Sequence, residues 1–381
     1  MQKKLIALAI AGLLSAPAFA QSNVTLYGTI DFGVVSLGSN HNKDIKGRNA
    51  IDSGVAKANR IGVKGVEDLG NGLKAVFVLE NGVVGDNEGT GFFNGTNRQS
   101  YAGLAGGFGT VAFGRQYTPQ HLFTASVDPF GKQGLGGAGN VLYQDRRLNN
   151  LAAYISPDFG GFKFILGYTA SGLYQEQQEN NRDIRVWAVA PSFTMNNLFV
   201  GANYHAARMN RDNAAGTKSQ SLFNAIDLFA SYDFGFVKVG STIGRRTTKK
   251  AVITGADKDS KITQFMLGAT FKITPNDSIL ASYGRTSESK VFDAQDGKPR
   301  IDQWAIGYEH ALSKRTALYS QFSMIGRNSA YRDGMRFHTL GDNGPVGNVG
   351  ASYAPYESGA LGNKETNGYR RGFAIGMRHD F

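Results

Sequence analysis

The sequence predicts an all-β fold: a 16-stranded antiparallel transmembrane β-barrel with short periplasmic turns, long extracellular loops and an inward-folded third loop. Three observations carry this reading. Period-two alternation of apolar and polar residues, in segments of about ten, dominates the chain. The separators between these segments take turns, short then long, without exception. No apolar run beyond residue 20 approaches the ~20 residues a membrane helix needs, while 50 Gly and 25 Phe stand beside only 9 Pro and 2 Trp.

In chain order, the first 20 residues read as a secretory signal. Lys3 and Lys4 precede an apolar run over residues 5–14, and Ala18-Phe19-Ala20 supplies a small-residue cleavage site. The run is too short to span a bilayer. Residues 21–381 form the expected barrel, and removal of two lysines lowers the formal charge from +11 to +9. With no Cys in the chain, no disulfide is available to an exported fold.

Short separators fall at residues 67–72, 106–109, 157–161, 195–197, 233–235, 274–277 and 313–315. They are rich in Asn, Asp, Gly and Pro, which adopt turn conformations other residues disfavour. Long polar separators fall at 41–54, 85–97, 174–183, 209–221, 249–261, 290–300 and 327–367, and a longer one spans 115–147. Seven short turns and eight long loops join 16 strands. An even count of tilted strands with this asymmetry suits an outer-membrane-type barrel, because lipid offers backbone groups no partner and the sheet must close. At the C-terminus, Phe373, Ile375 and Met377 share one face, and Gly372, Ala374, Gly376 and Arg378 the other. Trp304, Ile306, Tyr308 and His310 likewise oppose Gln303, Ala305, Gly307 and Glu309. Phe159, Phe162, Phe193, Phe234 and Phe236 sit at or beside short turns, where an interfacial aromatic girdle would lie.

The stretch from Arg115 to Arg147 breaks the rhythm, since the short turns on either side of it are about 52 residues apart rather than 37 to 41. It has neither helical period nor alternation. Loops beyond ~15 residues are usually functional or disordered, and this one is expected to fold into the bore as a constriction over about residues 116–147. If Ile61 and Val63 face outward, Arg60 and Lys64 face the lumen. Arg98, Arg115, Arg146 and Arg147 flank the loop on neighbouring strands. Arg115 shares parity with Val111 and Phe113, so facing the bore requires a twist at its strand end. The loop holds Asp128 and Asp145 against Lys132, Arg146 and Arg147, a net of +1, and of the two acids Asp128 is the candidate to oppose the arginines. Charge on the lipid face near mid-membrane costs ~2–4 kcal/mol per residue, which favours lumenal placement of the set. One unit charge about 6 Å from a passing ion contributes roughly 0.7 kcal/mol at the dielectric of water. Three together would give about 30-fold anion preference before salt screening, the expected device of an anion pore.

Other chemistry is not singled out. Gly134-x-Gly136-x-x-Gly139 matches a dinucleotide fingerprint in letters only, with no strand before it or helix after it; its glycines are better read as letting the loop pack closely on the wall. The six His are scattered without metal-ligand spacing, and no G-x-S-x-G occurs. Neither a metal nor a cofactor nor an enzyme activity is expected. The basic residues form no tract or nucleic-acid module. An enzyme on a barrel rim, a blocked adhesin barrel and a soluble periplasmic β-protein are the competing classes; an activity assay, conductance and extractability without detergent respectively discriminate them.

Five segments resemble the Gram-negative porins of β-proteobacteria. They are Val24-Thr-Leu-Tyr-Gly-Thr-Ile-Asp31, Asn59-Arg-Ile-Gly-Val-Lys-Gly-Val-Glu-Asp-Leu-Gly-Asn-Gly-Leu-Lys-Ala75, Gly109-Thr-Val-Ala-Phe-Gly-Arg-Gln-Tyr-Thr-Pro119, Leu312-Ser-Lys-Arg-Thr-Ala-Leu-Tyr319 and Gly376-Met-Arg-His-Asp-Phe381. The resemblance spans the mature chain. It implies a homotrimeric general diffusion porin of the outer membrane, surrounded by outer-membrane lipid and lipopolysaccharide and passing small anionic or neutral solutes. It also implies a wall arginine cluster facing the third loop, carried onto Arg60, Arg98, Arg115 and one or both of Arg146 and Arg147, and a terminal Phe381 read by the barrel-assembly machinery.

Overall fold

The computed structural model describes residues 23–39, 47–83, 85, 97–143, 147–170, 184–212, 218–252, 257–290, 298–327 and 370–381. The expected signal peptide and most of the last long loop lie outside these residues. The strands are β1 (Asn23–Leu37), β2 (Arg48–Ser53), β3 (Arg60–Gly70), β4 (Leu73–Gly82), β5 (Asn97–Gly106), β6 (Gly109–Tyr117), β7 (Arg147–Ile155), β8 (Phe162–Thr169), β9 (Ile184–Met195), β10 (Leu198–Asp212), β11 (Lys218–Asp233), β12 (Val237–Val252), β13 (Asp257–Lys272), β14 (Asp277–Lys290), β15 (Arg300–Ala311), β16 (Thr316–Arg327) and β17 (Arg371–Asp380).

From β3 onward each strand pairs antiparallel with the next, and β1 pairs with β17 to close the ring. β2 and β3 both pair with the same side of β1, β2 against residues 32–37 and β3 against residues 23–29. They are two halves of one stave, so 17 segments make the 16 staves read from the sequence. All seven short separators are turns between consecutive strands. Several of the long ones are shorter than expected: β2 begins at Arg48, β10 extends to Asp212 with β11 from Lys218, and β12 extends to Val252 with β13 from Asp257, because strand pairing continues further into the loops; the separator after β8 is longer, running from 170 to 183.

The wall alternates as the composition requires. Trp304, Ile306 and Tyr308 are exposed on the outer face of β15, while Ile301, Gln303 and Ala305 are buried inside. On β17, Phe373, Ile375 and Met377 face out and Ala374 faces in. The outer surface carries aromatic residues at two levels: Phe159, Phe162, Phe234 and Phe236 near the short turns, and Tyr168, Trp187, Tyr204 and Trp304 toward the long loops. Outward Trp and Tyr are absent from β1–β5, β16 and β17 among the described residues, where Val24, Leu26, Ile30, Ile51, Leu79 and Leu318 take their place.

The buried apolar core lies inside the ring. Val35, Val55, Phe123, Leu135, Val141, Leu142, Ile262, Met266, Ile301 and Ile325 form one cluster. It fills the contact between the inner wall and the segment 118–143, which crosses the bore. The expected inward fold of this loop is therefore observed. Burial of each such side chain contributes roughly 1.5–3 kcal/mol, enough in sum to hold the loop docked.

Candidate functional site

The constriction is built from the inserted loop and the wall it faces. The loop opens with helix α1 (Pro119–Val127), with Pro at its first turn and the Thr118 side chain accepting the His121 N–H at 3.2 Å. Phe123 wedges edge-on between Phe199 and Phe229, at centroid distances of 5.6 and 5.5 Å. The chain then turns around Asp128, whose carboxylate accepts the backbone N–H groups of Phe130, Lys132 and Ala138 at 3.1, 2.8 and 2.8 Å. Lys132, also buried, donates to Gln120 at 3.2 Å.

The wall meets the loop with glycines. A methyl group at Gly240 on β12 would overlap the Val127 carbonyl, and one at Gly268 on β13 would overlap Pro129. Gly307 on β15 abuts Phe130, and Gly372 on β17 abuts Leu135. These positions form a side-chain-free track across several strands. The loop's own Gly134 lies against Gln321 and Val55, in keeping with close packing rather than nucleotide binding. At the far end Tyr143 is tied down: its N–H donates to Gln264 at 2.8 Å, its hydroxyl to Asp227 at 2.6 Å, and the Arg246 guanidinium covers its ring at 4.3 Å.

Arg60 and Lys64 stand on the inner face of β3. Arg60 lies 3.6 Å from Glu80. Lys64 is exposed and its ammonium sits 5.4 Å from the Tyr27 ring centroid. Arg98 is nearly fully buried; it donates to Glu80 at 2.7 Å and to the Tyr117 hydroxyl at 2.6 Å. A register shift where β4 meets Asn97 turns it toward Glu80. Arg147 is fully buried, stacked over Tyr117 at 5.2 Å.

Arg115 does not join them. It stays on the outward face with Phe113, donating to the Asn97 carbonyl at 2.9 Å and to Asn149 at 2.5 Å. Gly114 pairs with Leu151 and Gln116 with Leu148, so the extra residue of this irregularity lies on β7 and the alternation of β6 is not shifted at Arg115. Asp128 is enclosed within the loop, because three backbone donors claim its oxygens, and it presents no charge across the bore. Arg146 lies outside the described residues. The loop surface exposed to the bore carries Leu122 and Ser126 and no charged side chain among the described residues.

Sequence reasoning missed Glu80, which the alternation Lys74, Val76, Val78, Glu80 could have placed on the inner face. Two guanidiniums share this carboxylate, and Lys64 has no acid beside it among the described residues; three cations against one acid leave this stretch of wall at +2. It also missed Lys57, which bridges to Asp380 at 2.8 Å, and Arg378, which reaches Glu309 at 3.0 Å. Among the described residues no three His, Asp or Glu side chains converge on a possible metal site.

Known proteins share both the sequence pattern and the fold. A family profile described as Gram-negative porin matches residues 7–330. The chain is 32% identical to outer membrane porin protein 32 of Delftia acidovorans over 347 residues, covering 88% of this chain and 93% of that protein. It is 28% identical to an outer membrane porin protein of Bordetella pertussis, covering 90% and 98%. Its fold superposes on the anion-selective porin from Comamonas acidovorans with TM-score 0.72 at 26% identity, covering 95% of this chain and all of that one. OmpT of Vibrio cholerae in its trimer form shares the fold at TM-score 0.65 and 16% identity, covering 94% and 99%.

Proposed function

Since this chain belongs to the Gram-negative porin family, we propose that its bore is a mildly anion-preferring diffusion pathway governed by wall cations opposite an uncharged loop. As a porin it resides in the outer membrane and passes small hydrophilic solutes and ions passively through a water-filled channel. The family is one of channels, not of enzymes.

The observation that carries the anion preference is the excess of cations beside Glu80, with Arg60 and Lys64 on the inner face and no acid exposed on the described part of the loop. The similar porin from Comamonas acidovorans, which is named as anion-selective, points the same way. Arg98 and Arg147 act here by fixing the wall rather than by touching solutes, since both are buried. Single-channel recording in a planar bilayer across a salt gradient tests the reading: the reversal potential is expected on the anion side, and a cation-side value refutes it. Arg60→Glu with Lys64→Glu is expected to abolish or invert the preference while the barrel still assembles.

The same reading extends to the rest of the chain. Residues 1–20 are a signal peptide cleaved after Ala20. The arc β1–β5, β16 and β17, which lacks outward Trp and Tyr, packs against copies of the chain in a homotrimer. The opposite arc faces lipid, and the exposed Arg185 and Arg208, directly opposed across β9 and β10 above Trp187 and Tyr204, suit the phosphates of lipopolysaccharide. Phe381 exchanges backbone hydrogen bonds with Gly28 at 3.0 and 3.2 Å and serves as the assembly signal.

A further inference from the structure

The wall breaks between β2 and β3. There residues 54–59 leave the ladder, and the stave resumes with Arg60 opposite Thr29. A gap of six residues in a closed sheet would strand its backbone donors, unless something inside satisfies them. Asp31 does so. Its carboxylate accepts the N–H groups of Val55 at 3.0 Å, Ala56 at 3.2 Å and Lys57 at 2.9 Å. Tyr319 from the far side of β17 donates its hydroxyl to the same carboxylate at 2.6 Å. The Asp31 carbonyl takes the Gly54 N–H at 2.7 Å, and its own N–H goes to the Asn59 side chain at 2.7 Å. Asp31 and Val55 are both fully buried. A buried carboxylate is tolerable only with several donors, and this one has four.

The excursion points into the bore and touches the inserted loop. The Ala58 N–H donates to Gln133 at 2.9 Å, and Gly134 packs against Val55. At its crest the Lys57 ammonium, partly exposed, reaches Asp380 at 2.8 Å. The same Asp380 oxygen accepts the Thr29 hydroxyl at 2.6 Å, and Arg378 lies 3.6 Å from the other oxygen. Asp380 is therefore shared by two cations, with Arg60 next along the stave.

We propose that residues 54–59 are a second narrowing element of the pore, and that Lys57 is a specificity-determining residue positioned by Asp31. The excursion packs against residues 133–134 of the loop, where the loop also meets β16, so the two thicken the same part of the wall together. Lys57 then adds a charge that permeating ions pass at close range. Only the direction of its effect rests on the anion-preferring reading.

The test is reversal potential and single-channel conductance of the full-length protein in planar bilayers, for wild type, Lys57→Met, Lys57→Glu and Asp31→Asn. Loss of one charge about 6 Å from the ion path is expected to lower the anion-to-cation permeability ratio about threefold in Lys57→Met, and further in Lys57→Glu. Lys163→Met, at a short turn on the periplasmic rim, is expected to match wild type. Asp31→Asn, by releasing the excursion, is expected to raise conductance and weaken the effect of a second change at Lys57. A permeability ratio in Lys57→Met equal to wild type overturns the role of Lys57, and an Asp31→Asn channel of unaltered conductance and selectivity overturns that of Asp31. Cation preference in wild type with a clear Lys57 effect would sink the anion reading but leave this inference standing.

Discussion

At the scale of single residues, parity along a strand reports which way a side chain points but not what it meets. Arg60 and Lys64 were legible as inward-facing because Ile61 and Val63 alternate with them. The fate of Arg98 was not, since it depends on Glu80, 18 residues earlier on the neighbouring strand. Register between strands is set by bulges and turns, and no single-chain pattern announces which acid ends beside which base. Removing one partner of a buried ion pair typically costs about 3–5 kcal/mol because the other is left uncompensated. Glu80→Ala is accordingly expected to lower the stability of the detergent-solubilised barrel by that order, read as a shift in the urea midpoint. Glu80→Gln, which keeps hydrogen bonding to Arg98, is expected to lose less and to strengthen anion preference. Equal stability of both variants to wild type would show that the pair is not a structural tie. Arg115 marks the converse limit: its parity with Phe113 was visible, and the side chain simply stays where alternation puts it.

Elements were legible in existence and obscure in course. The break in turn spacing exposed the inserted loop, yet nothing in residues 118–143 said that it would begin as a helix or lie along a track of wall glycines. Those glycines sit on strands far apart in sequence, and only the closed sheet lines them up. The excursion at 54–59 was hidden for a related reason: the polar separator is read as ending at residue 54, and nothing local shows that residues 55–59 leave the ladder or that Asp31 holds them. Glycine at the track is a spatial requirement, so Gly240→Val is expected to push Val127 and α1 off the wall. Overpacking of this kind costs typically about 1–3 kcal/mol. The expected readings are a lower unfolding temperature and a larger or noisier single-channel conductance. A Gly240→Val channel with wild-type conductance would mean that the loop does not need the bare strand. Gly235, in a short turn with nothing near its missing side chain, offers a contrast: its φ of 91° makes Gly235→Ala a strain on the turn without any change in conductance.

For the whole molecule, strand count, closure and the two levels of outer aromatics follow from the absence of water around the wall. Both tryptophans of the chain, Trp187 and Trp304, sit at the upper level on the outer face. In vesicles containing brominated lipids, their fluorescence is expected to be quenched more by bromines high on the acyl chain than by bromines near its end. Quenching by aqueous iodide with none by lipid would place them off the bilayer and undo the assignment of the lipid-facing arc. What the sequence could not disclose at this scale is the seam. Thr29 bonds to Asp380 across 351 residues, and β1 finds its second neighbour only in the final strand. Without β17 the sheet would keep two raw edges, at β1 and at β16, each a template for adhesion to another chain. Deleting β17 is thus expected to abolish the pore outright rather than narrow it, since neither neighbour finds a substitute for the missing stave.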